Sequence, residues 1–422
     1  MNYLDFVISA QKFGQSRGVT SICSAHPFVL EAALRHGLAR NTPVLIEATC
    51  NQVNQFGGYT GLTPADFVRY VGEIADRVGF PRQNLLLGGD HLGPLVWSGE
   101  PASVAMDKAK ILVHDYVQAG FSKIHLDCSM TCADDRDFPV ELIAQRAAQL
   151  AQVAESAVKV DLVPARPRYV IGSEVPPAGG AKAGETHLNV TDPADAARTI
   201  DLTHRAFSAL GLDSAWERVI ALVVQPGVEF GDESVHEYNR SAAAGLARFI
   251  ETVPGLVYEA HSTDYQTRTA LLALVEDHFG ILKVGPWLTF AFREAVFALA
   301  AIEEALCKTP SQIRETLEVA MLTNPVHWKK HYSGDAQTQK FARSFSFSDR
   351  IRYYWNTPET QHAFEQLMLN LGENSLPLAL LSQYLPEQYE KVRSGELKNH
   401  PRELLLARVL DVLDVYAIAC QN

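Results

Sequence analysis

Eight short apolar runs punctuate the first 285 or so residues: GVTSICSA (18–25), PVLIEA (43–48), NLLLGGD (84–90), KIHLD (123–127), RYVIGSE (168–174), RVIALVV (218–224), GLVYEA (255–260) and GILKVG (280–285). Each is only a few residues long and nearly continuous in apolar character. Strands buried on both faces have that composition, and such strands belong to parallel sheets. Segments with helical spacing lie between them: HPFVLEAALRHGL (26–38), ADFVRYVGEIADRVG (65–79), ASVAMDKAKILVHDYVQAG (102–120) and PADAARTIDLTHRAFSALG (193–211). Thr63 and Pro64 form a start signal for the second, and the third and fourth approach their ends at Gly120 and Gly211. Strand and helix in strict alternation, eight times, predict an α/β fold, a (β/α)8 TIM barrel over residues 1–300. An open doubly wound sheet would be expected to carry a glycine-rich dinucleotide turn, and none appears. After residue 300 the rhythm stops. FALAAIEEAL, SQIRETLEVAML and PRELLLARVLDVLDVYAIA are amphipathic, with FARSFSFSDRIRYYW (341–355) among them. Residues 301–422 are therefore expected to form a C-terminal helical extension packed on the barrel.

Composition narrows the function classes. The chain has 422 residues, a formal net charge of −12 and no long basic run. That balance argues against nucleic acid or an anionic membrane as the main partner. RVIALVVQPGV is too short to span a bilayer, and the N-terminus has no basic segment leading into a cleavage site. Six scattered cysteines (Cys23, Cys50, Cys128, Cys132, Cys307, Cys420) form no CxxC pair, which fits reduced thiols and a cytoplasmic location. A Walker A motif is absent, so a P-loop kinase has no support.

In a barrel the C-terminal ends of the strands share one rim, and chemistry collects there. All eight runs end on polar residues. Run one gives Ser24 and His26; run two gives Glu47, Asn51 and Gln52. Run three gives Asp90 and His91, inside GGDHLGP, and run four gives His125, Asp127 and Ser129. Glu174 follows run five, and Gln225 and Glu229 follow run six. Glu259, His261 and Asp264 follow run seven, and Lys283 closes run eight. His91 and His261, with Glu229 or Glu174, make a donor set suited to a borderline divalent metal. A carboxylate beside that set, Asp90 foremost, suits general acid–base work. A metal holding a ketone and a hydroxyl stabilises an enediolate, as aldol cleavage requires. Gly88, Gly89 and Gly93 are read as letting a ligand approach the backbone. The loops after strands seven and eight commonly hold phosphate, which makes Ser262, Thr263 and Gly285 candidate donors. Arg268, Arg293, Arg350 and Arg352 are candidate cations.

IEATCNQVNQFGGYTG, GGDHLGP, AGFSKIHLDCSM, YVIGSEVPPAGG, VVQPGVEF, YEAHSTDYQTRTA, KVGPWLTFAFREA and FSDRIRYYW together resemble the accessory, Z-type subunit family of D-tagatose-1,6-bisphosphate aldolase. Long runs match in the same order over essentially the whole chain. That family is in turn similar to the class II aldolases, which are zinc-dependent barrels. The resemblance implies Asp90 as general acid or base and His91 and His261 as zinc ligands. It implies Glu174, ahead of Gly179 and Gly180, as a second catalytic carboxylate. VTDPADA (190–196) resembles a helix start of those enzymes, and KVGPWLTFAFREA their phosphate segment. Class II enzymes carry a further zinc histidine after strand six, where this chain reads VVQPGVEFG. Gln225 or Glu229 would have to replace it, or the metal is lost. The implied substrate is a sugar phosphate, contacted by Glu47, Asn51, Gln52, Asp127, Gln225, Ser262, Thr263, Asp264, Lys283, Gly285 and Arg350. Two functions follow. One is a subunit supporting a catalytic aldolase partner. The other is a free-standing ketohexose-phosphate C4-epimerase that converts tagatose 6-phosphate to fructose 6-phosphate by retro-aldol cleavage and re-addition. Self-association into a homo-oligomer fits either.

Overall fold

The computed structural model describes residues 2–158, 166–175, 188–372 and 375–421. Its centre is a closed barrel of eight parallel strands. They are β1 (Val19–Cys23), β2 (Val44–Thr49), β3 (Leu85–Leu92), β4 (Lys123–Leu126), β5 (Arg168–Gly172), β6 (Val219–Val223), β7 (Val257–Ala260) and β8 (Phe279–Val284). Each pairs with its sequence neighbour, and β8 closes on β1 with Val19 opposite Ile281 and Ile22 opposite Val284. Every expected strand is present, with ends displaced by no more than two residues.

Helices α1 (Tyr3–Lys12), α2 (Pro27–Arg40), α3 (Pro64–Val78), α4 (Ala102–Ala119), α5 (Val140–Ala157), α6 (Pro193–Ala209), α7 (Asp213–Trp216), α8 (Arg240–Glu251), α9 (Arg268–Glu276) and α10 (Pro286–Leu306) accompany the strands. The start and stop of α3 follow from its sequence. Thr63 and Asp66 form a capping box, Pro64 opens the first turn, and Gly79 ends the helix in the left-handed conformation. A two-stranded hairpin, Glu229–Phe230 with Val235–His236, lies beyond β6.

Alternation along the strands sorts the barrel interior into layers. The lower layer is apolar: Val19, Leu45, Val170, Ala221, Val223, Val257 and Ile281 pack with Leu4, Val7 and Ile8 of α1. One helix thus plugs the floor. The layer above is charged, with Glu47, Lys123 and Glu259 each fully buried and Lys283 nearly so.

The extension continues with α11 (Ile313–Thr323), α12 (Ala336–Phe345), α13 (Pro358–Leu371), α14 (Leu378–Tyr384), α15 (Pro386–Arg393) and α16 (Pro401–Ala419). α16 returns to the barrel and packs against α2, α9 and α10. It buries residues all round its circumference, including Leu404, Leu405, Leu406, Val409 and Tyr416, as a helix enclosed by neighbours must. The Tyr416 hydroxyl donates to the Thr263 carbonyl at 2.8 Å. None of the described helices is long and apolar enough to cross a membrane.

Candidate functional site

The charged layer is the foundation of the rim. Lys123 Nζ lies 2.7 Å from Glu47 Oε1 and 2.6 Å from Glu259 Oε2. Lys283 Nζ lies 3.0 Å from Glu47 Oε2 and 2.6 Å from Asp90 Oδ1. Ser21 donates to Glu47 at 2.6 Å. Two buried ammonium groups and three buried carboxylates therefore interlock. Burial favours the neutral forms, but the pairing outweighs it. The Lys283 ammonium is held well above its ordinary value by Asp90, Cys23, Glu47 and Glu259, against burial. It is a cation here, not an amine nucleophile.

Three histidines stand on this layer. The ring centroids of His91, His125 and His261 are 5.0–5.3 Å apart. Each ring has one nitrogen beside a carboxylate: His91 Nδ1 with Asp127 at 2.8 Å, His125 Nδ1 with Asp90 at 3.0 Å, and His261 Nε2 with Glu259 at 2.9 Å. The other nitrogen of His91 lies 3.6 Å from Asp90 Oδ2, and that of His125 and of His261 is left over. For His125 Nε2 it is buried and has no hydrogen-bond partner among the described residues. Carboxylate-backed imidazoles of this kind are what divalent metals select. Ligand atoms of Asp90, His125, Glu259 and His261 also fall within 4.8 Å of one another. This buried Asp–His–Glu–His group, which does not include His91, could hold a metal ion.

Backbone geometry explains how Asp90 and His91, adjacent in a strand, both serve the site. The β3–β4 register slips between Gly89 and Leu92, and His91 has φ 50°. Left-handed backbone at a histidine costs about 1 kcal/mol or more and recurs at functional positions. Ser262 has φ 53° on the facing loop. The glycines of GGDHLGP answer to packing rather than to a ligand. A Cβ at Gly88 would lie 2.6 Å from Glu47 Cγ, one at Gly89 2.5 Å from Leu92 Cδ1, and one at Gly93 1.7 Å from the Asp127 carbonyl oxygen.

Protonation follows the partners. Burial would raise the Asp90 carboxyl, but His91, Lys283 and His125 hold it well below the usual carboxylate range. Burial would lower His91, yet Asp90 and Asp127 carry it above the ordinary imidazole value. Burial takes His261 down to about 4, with the Glu259 hydrogen bond opposing, so it is neutral and ready to ligate at pH 7.

A cleft opens above the histidines, lined by Ser24, His26, Asn51, Gln52, Tyr59, Asp90, His91, His261, Ser262, Asp264, Lys283, Gly285 and, from the extension, Arg352, Tyr353 and Asn356.

Residues 4–421 match the family model described as D-tagatose-1,6-bisphosphate aldolase subunit GatZ/KbaZ-like. The chain belongs to that family. It is also 48% identical to a solved structure from Sinorhizobium meliloti 1021, a probable tagatose 6 phosphate kinase, over 96% of this chain and 100% of that one, with a TM-score of 0.88. The YdjI aldolase from Escherichia coli K12 matches at 11% identity and a TM-score of 0.42, covering 89% of this chain and 98% of its own. The fructose-bisphosphate aldolase from Campylobacter jejuni matches at 12% and 0.45, covering 86% and 89%.

In this GatZ/KbaZ-like chain, Asp90, His91, His261, Asn51, Gln52, Ser262, Asp264, Lys283 and Gly285 converge on one cleft. Glu47 lies beneath it in the charged layer, and Asp127 stands behind His91. Other expected residues sit elsewhere. Glu174 is exposed and lines a neighbouring groove with Ser129, Val175 and Gln225, accepting a hydrogen bond from Thr191. Gln225 accepts from the Gly227 N–H at 2.7 Å. Glu229 is 1% exposed at the hairpin, next to the cleft-lining Phe230. Thr263 donates to the Lys283 carbonyl at 2.5 Å and is fully buried. Arg350 turns away to the His327 carbonyl, while Arg352 lines the cleft. Gly179 and Gly180 lie outside the described residues.

His125, Glu259 and Lys123 belong to the site although the sequence reading did not single them out as ligands or support. The alternation in KIHLD carried the signal: Lys123, His125 and Asp127 share one face of the strand. Asp264 has a structural duty as well. Its Oδ1 accepts from the Gly285 and Trp287 N–H groups, at 3.0 and 2.8 Å, and so caps α10. Burial lifts its pKa to about 6, against those two N–H bonds.

Proposed function

We propose that this GatZ/KbaZ-like chain carries a working site of its own and epimerises a ketohexose 6-phosphate at C4, interconverting the tagatose and fructose forms. The observation that supports this reading most is the triad of histidines, each backed by a carboxylate, above a neutralised charged layer. His91, His125 and His261 would hold a divalent metal, zinc being the natural choice for nitrogen donors. When bound, that metal supplies positive charge to the oxygens of a ketone and its neighbouring hydroxyl.

Asp90 does the proton work. Its Oδ1 is taken by Lys283 and His125, and its Oδ2 remains, 3.6 Å from His91 Nε2. As a carboxylate it removes the C4 hydroxyl proton, the C3–C4 bond breaks, and an enediolate and an aldehyde fragment result. Rotation of the aldehyde and re-formation of the same bond invert C4. A second proton transfer, on the other carbonyl face, completes the inversion. Arg352, Tyr353 and Asn356 of the extension line the cleft in which the aldehyde turns. Phosphoryl transfer from a nucleotide is not supported, since the sequence offers neither a Walker A motif nor a glycine-rich dinucleotide turn.

The test is NMR of the purified chain alone with tagatose 6-phosphate and a divalent metal. Appearance of fructose 6-phosphate is expected. An unchanged sugar across several metals would overturn the proposal and favour the second reading, a subunit supporting a catalytic aldolase partner. The family's own description as an aldolase subunit is what speaks for that alternative.

A further inference from the structure

A phosphorylated sugar needs a cation at one end of its cleft. Two cations line this one, Lys283 and Arg352. Lys283 is already neutralised by Glu47 and Asp90. Arg352 has no carboxylate within 4.0 Å among the described residues. Asp349, three residues earlier, is committed to Arg293 at 2.9 Å and to Thr289 at 2.6 Å. The Arg352 guanidinium is fixed by the Ser348 and Asp349 carbonyls, at 2.5 and 3.1 Å, and by the Tyr353 hydroxyl at 2.9 Å. Tyr59 crosses Tyr353 edge to face, with centroids 4.7 Å apart. The cleft that Arg352 lines also carries the neutral polar groups of Asn51, Gln52, Tyr59, Thr60, Tyr353 and Asn356, together with Asp90 and Asp264. A half-buried, immobilised and unpaired guanidinium is an anion site.

The other conventional anchor is closed. Phosphate in a barrel of this kind would sit at the N-terminus of the helix after β8. Here the Gly285 and Trp287 N–H groups that would receive it are both bound by Asp264 Oδ1. A carboxylate of the chain fills that place and repels a second anion.

We propose that Arg352, delivered by the extension, anchors one phosphate monoester, and that Asp264 bars a second phosphate from the α10 end. The cleft would then select ketose monophosphates over bisphosphates. This rests on the sugar-phosphate reading of the same cleft, but not on turnover.

The experiment is calorimetric titration of the full chain with fructose 6-phosphate, fructose 1,6-bisphosphate and inorganic phosphate. Wild-type protein is expected to bind the monophosphate at least about tenfold more tightly than the bisphosphate. Arg352→Gln should weaken both fructose 6-phosphate and inorganic phosphate by about 10–100-fold, with Arg352→Lys recovering part of the loss. Asp264→Asn keeps the Oδ1 acceptor and should narrow the preference for monophosphate by about fivefold or more. Equal wild-type affinity for the two sugars would overturn the proposal, and that comparison needs no variant to fold. Unchanged binding in a folded Arg352→Gln protein would overturn it too. A chain that binds with this preference but never epimerises leaves the phosphate anchor standing and removes only the catalytic reading.

Discussion

The two sides of the barrel rim obey the same strand-end rule and differ sharply in what they build. On the β3, β4, β7 and β8 side, three histidines and Asp90 are buried and held by paired groups. On the β5 and β6 side, Glu174 is exposed, and Gln225 bonds to Gly227 and to Thr191. The layer beneath accounts for the contrast. The histidines stand by Glu47, Lys123, Glu259 and Lys283, whereas β5 and β6 contribute apolar Val170, Ala221 and Val223 to the barrel interior. A polar group at a strand end becomes a site when charges below fix its orientation and protonation. Over an apolar layer it remains a surface residue.

Four changes probe that contrast, starting with the one expected to matter most. Lys283→Met would leave Glu47 and Asp90 short of a counter-charge in the interior. A destabilisation of about 3–5 kcal/mol is expected in urea unfolding, whereas an equally mild effect from Lys283→Met and a surface control such as Arg205→Met would sink the layered account. Next comes Asp264. Its folded pKa of about 6 exceeds the unfolded value, so between roughly pH 4 and 6 the folded protein holds a proton the unfolded chain has released. Stability contributed by this group therefore falls as pH rises through that window, by about 3 kcal/mol in all. Asp264→Asn should flatten the slope when unfolding is compared at pH 4.5 and 7.5; an unaltered slope would show that other groups set it. Third, His261→Ala and His125→Ala should each cut retained divalent metal affinity by about 10–100-fold, read by competition with a chelating dye. Retention of wild-type affinity by both would dissolve the histidine triad as a metal centre. Last and smallest, Glu174→Gln should leave metal affinity within about twofold. A large loss there would mean that the β5 side reaches the centre after all, and the two sides would no longer differ in kind.

Much of this was legible from the residues alone. Eight apolar runs at regular spacing predict the barrel, because parallel strands buried on both faces have no other composition. Asp90, His91 and His261 were visible as strand-end groups. What escaped depends on register and on chain return. His125 reads as a strand-end group without an assigned role, and Lys123 as a polar member of a short strand, until alternation places both inward beside Glu47 and Glu259. Asp264 read as a phosphate contact, yet it binds the backbone where phosphate was expected. Arg352 and Arg350 are indistinguishable in FSDRIRYYW, and only the turn at Asp349, with φ 46°, decides which faces the cleft.

The return of α16 has a consequence for how the molecule comes to be folded. Thr20 and Cys420 approach to 3.8 Å across a sequence separation of 400, and Arg17 reaches the Gln421 carbonyl. Such a contact cannot form until nearly all of the chain is present, and its long sequence separation adds to the contact order that slows folding. Until then the loop bearing Ser262 and Thr263 lacks its Tyr416 brace, and the nascent barrel exposes the apolar seam between α2 and α9. During synthesis the half-made protein is therefore an aggregation-prone species without a finished cleft.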